Sequence, residues 1–389
     1  MKIPSYLVNF KCIGGRCEDN CCIGWDVDID KKTYQKYLRV DHPLMKRELK
    51  RYVKVNPDVY NESVNYAFAV LDEKKQCSFL NADKLCMIQK HLGESYLSNV
   101  CSNFPRITNI IDGEIERSAT PSCPEITRLL LMTPNAMQMI LVKNPESTPI
   151  VTYDLIQKDK RFRNKLLSQL VVIRNRCMSF FEDELESIED QMLRLSLYII
   201  DLVMLEKRAI ALNKPCDFDA SAIRNLEANK ETNKICKSNS YEFSEMLIVH
   251  LQTVGAYDSE RYTEFSKLAA MGDVNKGLPI YRAFFNEHPH LFKNLFQNHI
   301  YKNLFPFSEG DNPEDALWLF LCRYAILKRQ LIGLAGYYGI LTFETMSDFI
   351  QAFSKVIEHH KHFEMQTIEI LKHKKMTTKM LIESIIGSM

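Results

Sequence analysis

The chain has 389 residues, 46% of them hydrophobic and 25% charged, and a formal net charge of +1. That is the composition of an ordinary globular protein, long enough for two or three domains or one large elaborated one. The even charge balance gives no global field for nucleic acid or an acidic membrane, and the longest apolar runs, broken by Asp201 and Arg323, fall short of the ~18–20 residues of a membrane span.

The opening, MKIPSYLVNF, lacks the apolar stretch of a secretory signal, so the expected location is the cytoplasm, where thiols stay reduced. Next comes FKCIGGRCEDNCCIGWDVDID, with Cys12, Cys17, Cys21 and Cys22 inside eleven positions. Cys77, Cys86, Cys101 and Cys123 follow, so eight of the 12 cysteines lie in the first 123 residues. A disulfide framework serves small secreted domains, whereas crowded cytoplasmic thiols point to a thiolate-bound metal or iron–sulfur centre. Adjacent Cys21 and Cys22 point in different directions in an extended loop and suit one mononuclear ion poorly. A cluster, or two separate sites, removes that difficulty, and spacing alone does not choose between one cluster and two zinc ions. The radical methyl-donor signature C-x3-C-x2-C is not met, because Cys17 and Cys21 fit but position 24 is Gly24. Cys177, Cys216, Cys236 and Cys322 are isolated and read as small buried hydrophobes.

Trp25, Val27 and Ile29 alternate with acidic residues, the period of a strand. Helical patterning covers about 31–52 and 84–100. Residues 107–115 read as a hairpin around Asp112-Gly113, a favoured turn pair. Pro124 suits the first turn of a helix running into Leu129, Leu130 and Leu131. From 136 onward the pattern is helical, with apolar stripes through 166–173, 192–203, 241–254, 260–271, 290–304, 314–335, 344–360 and 363–386 and no strand alternation. The expected fold is mainly α, with a loop-rich cysteine-cluster part bearing short strands (1–135) followed by a multi-helix bundle (136–389). Pro134, Pro145 and Pro149 mark the boundary, and the polar stretch 213–240 marks a second, weaker one. Neither G-x-G-x-x-G after a strand nor a P-loop motif occurs, which argues against a standard dinucleotide or nucleotide site.

Three separated blocks, FKCIGGRCEDNCCIGWDVDID, CSFL…LCMIQKHLGESYLSNVCSNFPR and ERSATPSCPEITRLLL, together resemble the flagellin lysine-N-methylase family. The cysteine pattern is also similar to the broader family of cysteine-cluster domains that chelate zinc or iron. The blocks span about a third of the chain. The resemblance implies a protein-lysine N-methyltransferase that moves methyl from S-adenosylmethionine to surface lysines of flagellin. It further implies an iron–sulfur centre, 4Fe–4S preferred and zinc the alternative, drawing on Cys12, Cys17, Cys21, Cys22, Cys77, Cys86, Cys101 and Cys123. A monomer with no nucleic-acid or membrane partner is expected.

A lysine amine, with ordinary pKa near 10.4, must lose a proton before attacking a methyl group. Candidate acceptors near the cysteines are Tyr96, Glu94 and Asp26, with Glu18, Asp19, Asp28, Glu114 and Glu116 as further carboxylates. Arg106, after Asn103-Phe104-Pro105, is a candidate for pairing a donor carboxylate or cluster charge. His91 is a candidate outer group of the centre and Trp25 a candidate solvent shield. His359, His360, His362 and His373 read as the polar face of a C-terminal helix. Two other functions compete: a non-catalytic zinc-binding scaffold and an iron–sulfur redox protein.

Overall fold

The structure, a computed structural model, describes residues 1–143, 150–214, 241–253, 259–359 and 362–386. Strand β1 (Lys2–Pro4) opens the chain, and the cysteine-rich loop leads into β2 (Val27–Ile29). Asp30 then ends the alternating run and caps α1 (Lys31–Leu38) by accepting from Thr33 N at 2.9 Å. Its second oxygen accepts from Asn99 N, also at 2.9 Å, so one buried carboxylate serves two helix starts. The expected helix over 31–52 is two helices, because Pro43 opens a new one, α2 (Pro43–Tyr52), after a His42 cap. The segment 84–100 also splits. Helix α3 (Met87–Leu92) stops at Gly93, whose φ of 89° needs glycine, and α4 (Asn99–Asn103) restarts from a Ser98 cap. A three-stranded sheet orders β2, β4 (Ala67–Ala69) and β3 (Val53–Val55) against these helices.

The Asp112-Gly113 hairpin forms as expected. Strands β5 (Arg106–Ile111) and β6 (Glu114–Ala119) pair in register, and both turn residues have positive φ, 50° and 82°. Helix α5 (Pro124–Met132) starts at the expected proline. The strand-free reading beyond 136 does not hold. Short strands β7 (Met139–Leu141) and β8 (Val151–Leu155) join a five-stranded sheet ordered β7-β1-β6-β5-β8. Each lies at an edge and is too short to show a convincing period of two.

Twelve-residue and longer helices dominate the rest. Helix α6 (Leu170–Ser179) follows a short 3-10 turn at Leu166–Gln169, and α7 (Ile188–Ala211) is capped by Ser187. Then come α8 (Glu242–Thr253), α9 (Glu260–Met271) and α10 (Val274–Glu287), which carries Pro279 within it and had no readable stripe. Helices α11 (His290–Lys302), α12 (Pro313–Tyr338), α13 (Phe343–His359), α14 (Phe363–His373) and α15 (Thr378–Ile386) complete the fold. The pattern over 363–386 is thus a pair of helices, parted at Lys374-Lys375, where Lys375 takes φ 54°.

Helix α12 is the axis of the molecule. It is buried on every side from Ala316 to Leu327 and again from Gln330 to Ala335. A cluster of apolar side chains runs around it from Ile3 and Tyr6 to Ile385, so β1, α5 and the C-terminal helices share one core. Gly333 lets α9 approach closely, since a Cβ there would collide with the Ala269 backbone. No helix among the described residues is long and apolar enough to cross a membrane.

Candidate metal centre

The second, smaller core holds the thiols. Val27, Ile29, Tyr37, Met45, Leu49, Phe79 and Ile88 pack around buried Cys77, with half-buried Cys22, Cys86 and Cys101 against them. The chain brings these together by backbone pairing. Cys77 N donates to Cys22 O at 2.8 Å, and Leu80 bridges Cys86. Cys101 enters from the first turn of α4. The thiol of Cys22 lies within electrostatic reach of Cys21, Cys77 and Cys86, and that of Cys101 within reach of Cys86, Cys77 and Cys21. Five of the eight predicted thiols therefore converge. Cys123 lies within electrostatic reach of Cys17 and Cys21, and Arg106 within reach of Cys12 and Cys123. All eight are free of disulfide bonds.

Their electrostatics fit a thiolate-binding group in kind. Backbone N–H groups donate to the sulfurs: Phe79 to Cys77, Gln89 and Ile88 to Cys86, and Ile126 and Glu125 to Cys123. Cys86 and Cys123 occupy helix N-caps, which favour anionic sulfur. Burial works the other way. It pushes Cys17 and Cys77 up to about 11 and Cys101 and Cys123 up to about 12. Sulfurs surrounded by donors yet held neutral by burial are relieved by a positive centre among them. At the adjacent pair, the Cys22 thiol donates to Cys21. This holds Cys21 below its ordinary value, with nearby Lys355 assisting, and drives Cys22 far up. Among the described residues, no three His, Cys, Asp or Glu side chains are set around one point as ligands of a single ion. The thiols are thus gathered into one segment without forming the ligand shell of a single ion among the described residues.

A polar junction fastens this region to α13. Lys355 pairs with Asp19 at 2.5 Å, both largely buried, and Gln351 donates to Asp19 at 2.8 Å and to Ser122 O at 2.9 Å. One turn further, Glu358 accepts from the Thr120 hydroxyl and pairs with Lys302 of α11 at 3.1 Å. Thr120 and Cys123 belong to one turn, closed by Cys123 N donating to Thr120 O at 3.3 Å. Gln351, Lys355 and Glu358 escaped the sequence reading, although their spacing of four and three marks one helix face. Polar residues in register between buried Ile350, Phe353, Val356 and Ile357 were the available signal.

The other predicted residues scatter. Asp26 and Glu94 are exposed, and Tyr96 lies under the Lys36 ammonium at 4.6 Å. Glu18 pairs with Arg128 at 2.9 Å, and Glu116 forms a buried fork with Arg174 at 2.5 and 2.8 Å. Arg106 is half-buried and stacks on the Phe10 ring at 5.0 Å. Trp25 donates to Cys21 O at 2.6 Å and meets Phe104 edge-on at 4.6 Å, between the thiol loop and β5. His91 meets His42 with the rings tilted, 5.3 Å between centroids. Cys177 and Cys322 are fully buried, as expected of core thiols. Cys216, Cys236, most of 213–240, His360 and the side chain of His359 lie outside the described residues.

Comparison with known proteins places this geometry in a family. A lysine-N-methylase of Salmonella choleraesuis is 23% identical over 396 aligned positions, covering 93% of this chain and 94% of the relative. One from Salmonella typhimurium matches to the same extent. A flagellar biosynthetic protein, FliU, of Salmonella muenchen is 32% identical over 139 positions, or 35% of this chain and 79% of the relative. No solved structure matches. Residues 109–382, from the β5 strand through the last helix, match the family described as the FliB lysine N-methylase C-terminal domain, and the chain belongs to that family.

Proposed function

We propose that this protein transfers methyl groups from S-adenosylmethionine to surface lysine ε-amines of flagellin, in the cytoplasm and as a monomer. We further assign it an iron–sulfur centre, 4Fe–4S in type, bound by the early cysteines. The observation that carries the reading is the match along more than nine-tenths of both chains with relatives named lysine-N-methylase. The name of the third relative is flagellar, which supports flagellin as the substrate. The mutual electrostatic reach of Cys21, Cys22, Cys77, Cys86 and Cys101, with backbone N–H donors on Cys77 and Cys86, supports the centre.

Residue roles follow from placement. Cys22, Cys77, Cys86 and Cys101 would hold the group, with Cys21 at its edge. A free iron that would bind the amino and carboxylate groups of the methyl donor requires one of these four cysteines to stay off the group, which three would then hold. Arg106, over the Phe10 ring and within electrostatic reach of Cys12 and Cys123, would pair with a donor carboxylate. The Asp19–Lys355 pair fixes the thiol loop on α13. The helical part presents the surface that holds folded flagellin, since one exposed lysine carries little specificity.

The test is mass spectrometry of flagellin co-expressed with this protein, alongside metal and sulfide analysis of protein purified without oxygen. Methylated lysines, iron and sulfide are expected. Unmodified flagellin would refute the methylase reading, and stoichiometric zinc without sulfide would refute the iron–sulfur centre.

A further inference from the structure

A cavity of about 40 Å³ opens among Phe296, Phe320, Arg323, Ile350, Phe353 and Glu358. Pro121 closes one side of it, so its wall is the turn that carries Thr120 and Cys123. The cavity therefore lies between the helical core and the thiol-bearing segment. Its walls are mostly apolar, and Glu358 and Ser354 are polar groups on α13 that line it.

Size selects the occupant. The space is roughly three times what one water needs. It admits a slim unbranched chain and excludes a nucleoside. An apolar wall disfavours an ammonium ion, and a carboxylate beside it gives the departing proton a destination. The charged and titratable groups around Glu358 are already disposed for this. Lys302 pairs with it from α11, Thr120 donates to it from the turn, and Tyr6 feels its charge. Across the cavity, Arg323 is committed to Glu309 at 2.7 Å, and burial holds His299 below its ordinary value, neutral at pH 7. Neither Glu94, Tyr96 nor Asp26 lines this cavity.

We infer that this cavity receives the aliphatic stem and amine of the substrate lysine, with the Glu358 carboxylate as the proton acceptor. The inference rests on the methyl-transfer reading above and places its amine side. The lysine ammonium gives one proton to Glu358. Its nitrogen lone pair then forms a C–N bond to the methyl carbon of a sulfonium donor. The C–S bond breaks, its electron pair stays on sulfur as a neutral thioether, and the product is an N-methylammonium. The donor, too large for the cavity, meets the amine at the cavity's edge.

Two measurements on the full chain test this separately. The first is titration with n-pentylamine followed by calorimetry, on wild type, Glu358→Gln, Ser354→Leu and the exposed control Glu369→Gln. Wild type and the control should bind the amine. Glu358→Gln should bind at least tenfold more weakly, and Ser354→Leu, by filling the space, should not bind. The second is flagellin methylation across pH. Glu358→Gln should lose at least tenfold in kcat at pH 7 and recover as pH rises and the amine deprotonates unaided. Circular dichroism and metal content of each variant report on folding. Absence of amine binding to folded wild type, equal binding by Glu358→Gln, or a wild-type kcat in that variant would each overturn the inference. If wild type binds the amine and methylates nothing, the cavity assignment stands and the methylase reading falls.

Discussion

The thiol region and the α12 region of this protein are stabilised by different means. Around α12, apolar burial is continuous, with some twenty residues of one helix out of contact with water. Around the cysteines, elements are three to ten residues long, the apolar core is small, and shape depends on caps, turns and backbone pairing. Asp30 serving two helices and Asp72 accepting from Lys74 N and Gln76 N are typical of it. A region organised this way is specified by polar geometry and by whatever its thiols bind. A region organised like α12 is specified by volume.

The sharpest way to break that contrast is Cys86→Ser combined with Cys101→Ser. Metal and sulfide should be lost, methylation should fall by at least about 100-fold, and hydrogen exchange should speed up over residues 20–104 while 313–338 stay protected. Equal loss of protection in both regions would show them to be one cooperative unit. Next in size, Phe349→Ala removes a fully buried ring from the helical core. It should cost about 3–5 kcal/mol in urea unfolding without changing metal content. Asp30→Ala, in the polar region, should cost about 1–2 kcal/mol. It should also free the starts of both α1 and α4, seen as faster exchange at Thr33 and Asn99.

Acid should weaken the helical region in two steps. Burial opposes the charge of Glu309, but Arg323 and His299 hold its carboxyl well below the ordinary value. Its stabilising effect is present above the unfolded carboxyl value of 4.5 and is lost as pH falls beneath it. His299 is lowered by burial, so the unfolded chain takes up its proton first and stability already declines below 6.5. Urea midpoints between pH 7 and 3 should fall in both steps, and His299→Gln should remove the upper one. The smallest effect is expected from the exposed pair Lys31–Glu62, 2.7 Å apart. Lys31→Ala should leave the urea midpoint almost unmoved, and whatever difference remains should vanish in high salt.

What could be read from the sequence divides along the same line. The long stripes of α7, α11, α12 and α13 were legible because burial leaves a 3.6-residue period. Pro279 hid α10, since an internal proline reads as a break, and β7 and β8 are too short to carry a period. In the thiol region, the cysteines and the Asp112-Gly113 turn were legible as residue types. Which sulfurs meet was not, because Cys22 reaches Cys77 by a single backbone hydrogen bond across 55 positions. Glu358 could be read only as one of three polar residues on one face of its helix, and its role could not. Its partners Thr120 and Lys302 are 238 and 56 positions away, and nothing local marks a glutamate in a helix as half-buried.

The position of β1 has a consequence for how the chain is made. Lys2 pairs with Glu116 on one side and Leu141 on the other. At about 5–20 residues per second, synthesis leaves that strand without either neighbour for several seconds at least. During this interval the Cys12–Cys22 loop is anchored only from its downstream end and open on both faces. Residues 114–141 close the sheet first, and Gln351 and Lys355 reach Asp19 only about two hundred residues later. The thiol loop is therefore open to the surroundings through most of synthesis and is covered among the last parts of the molecule.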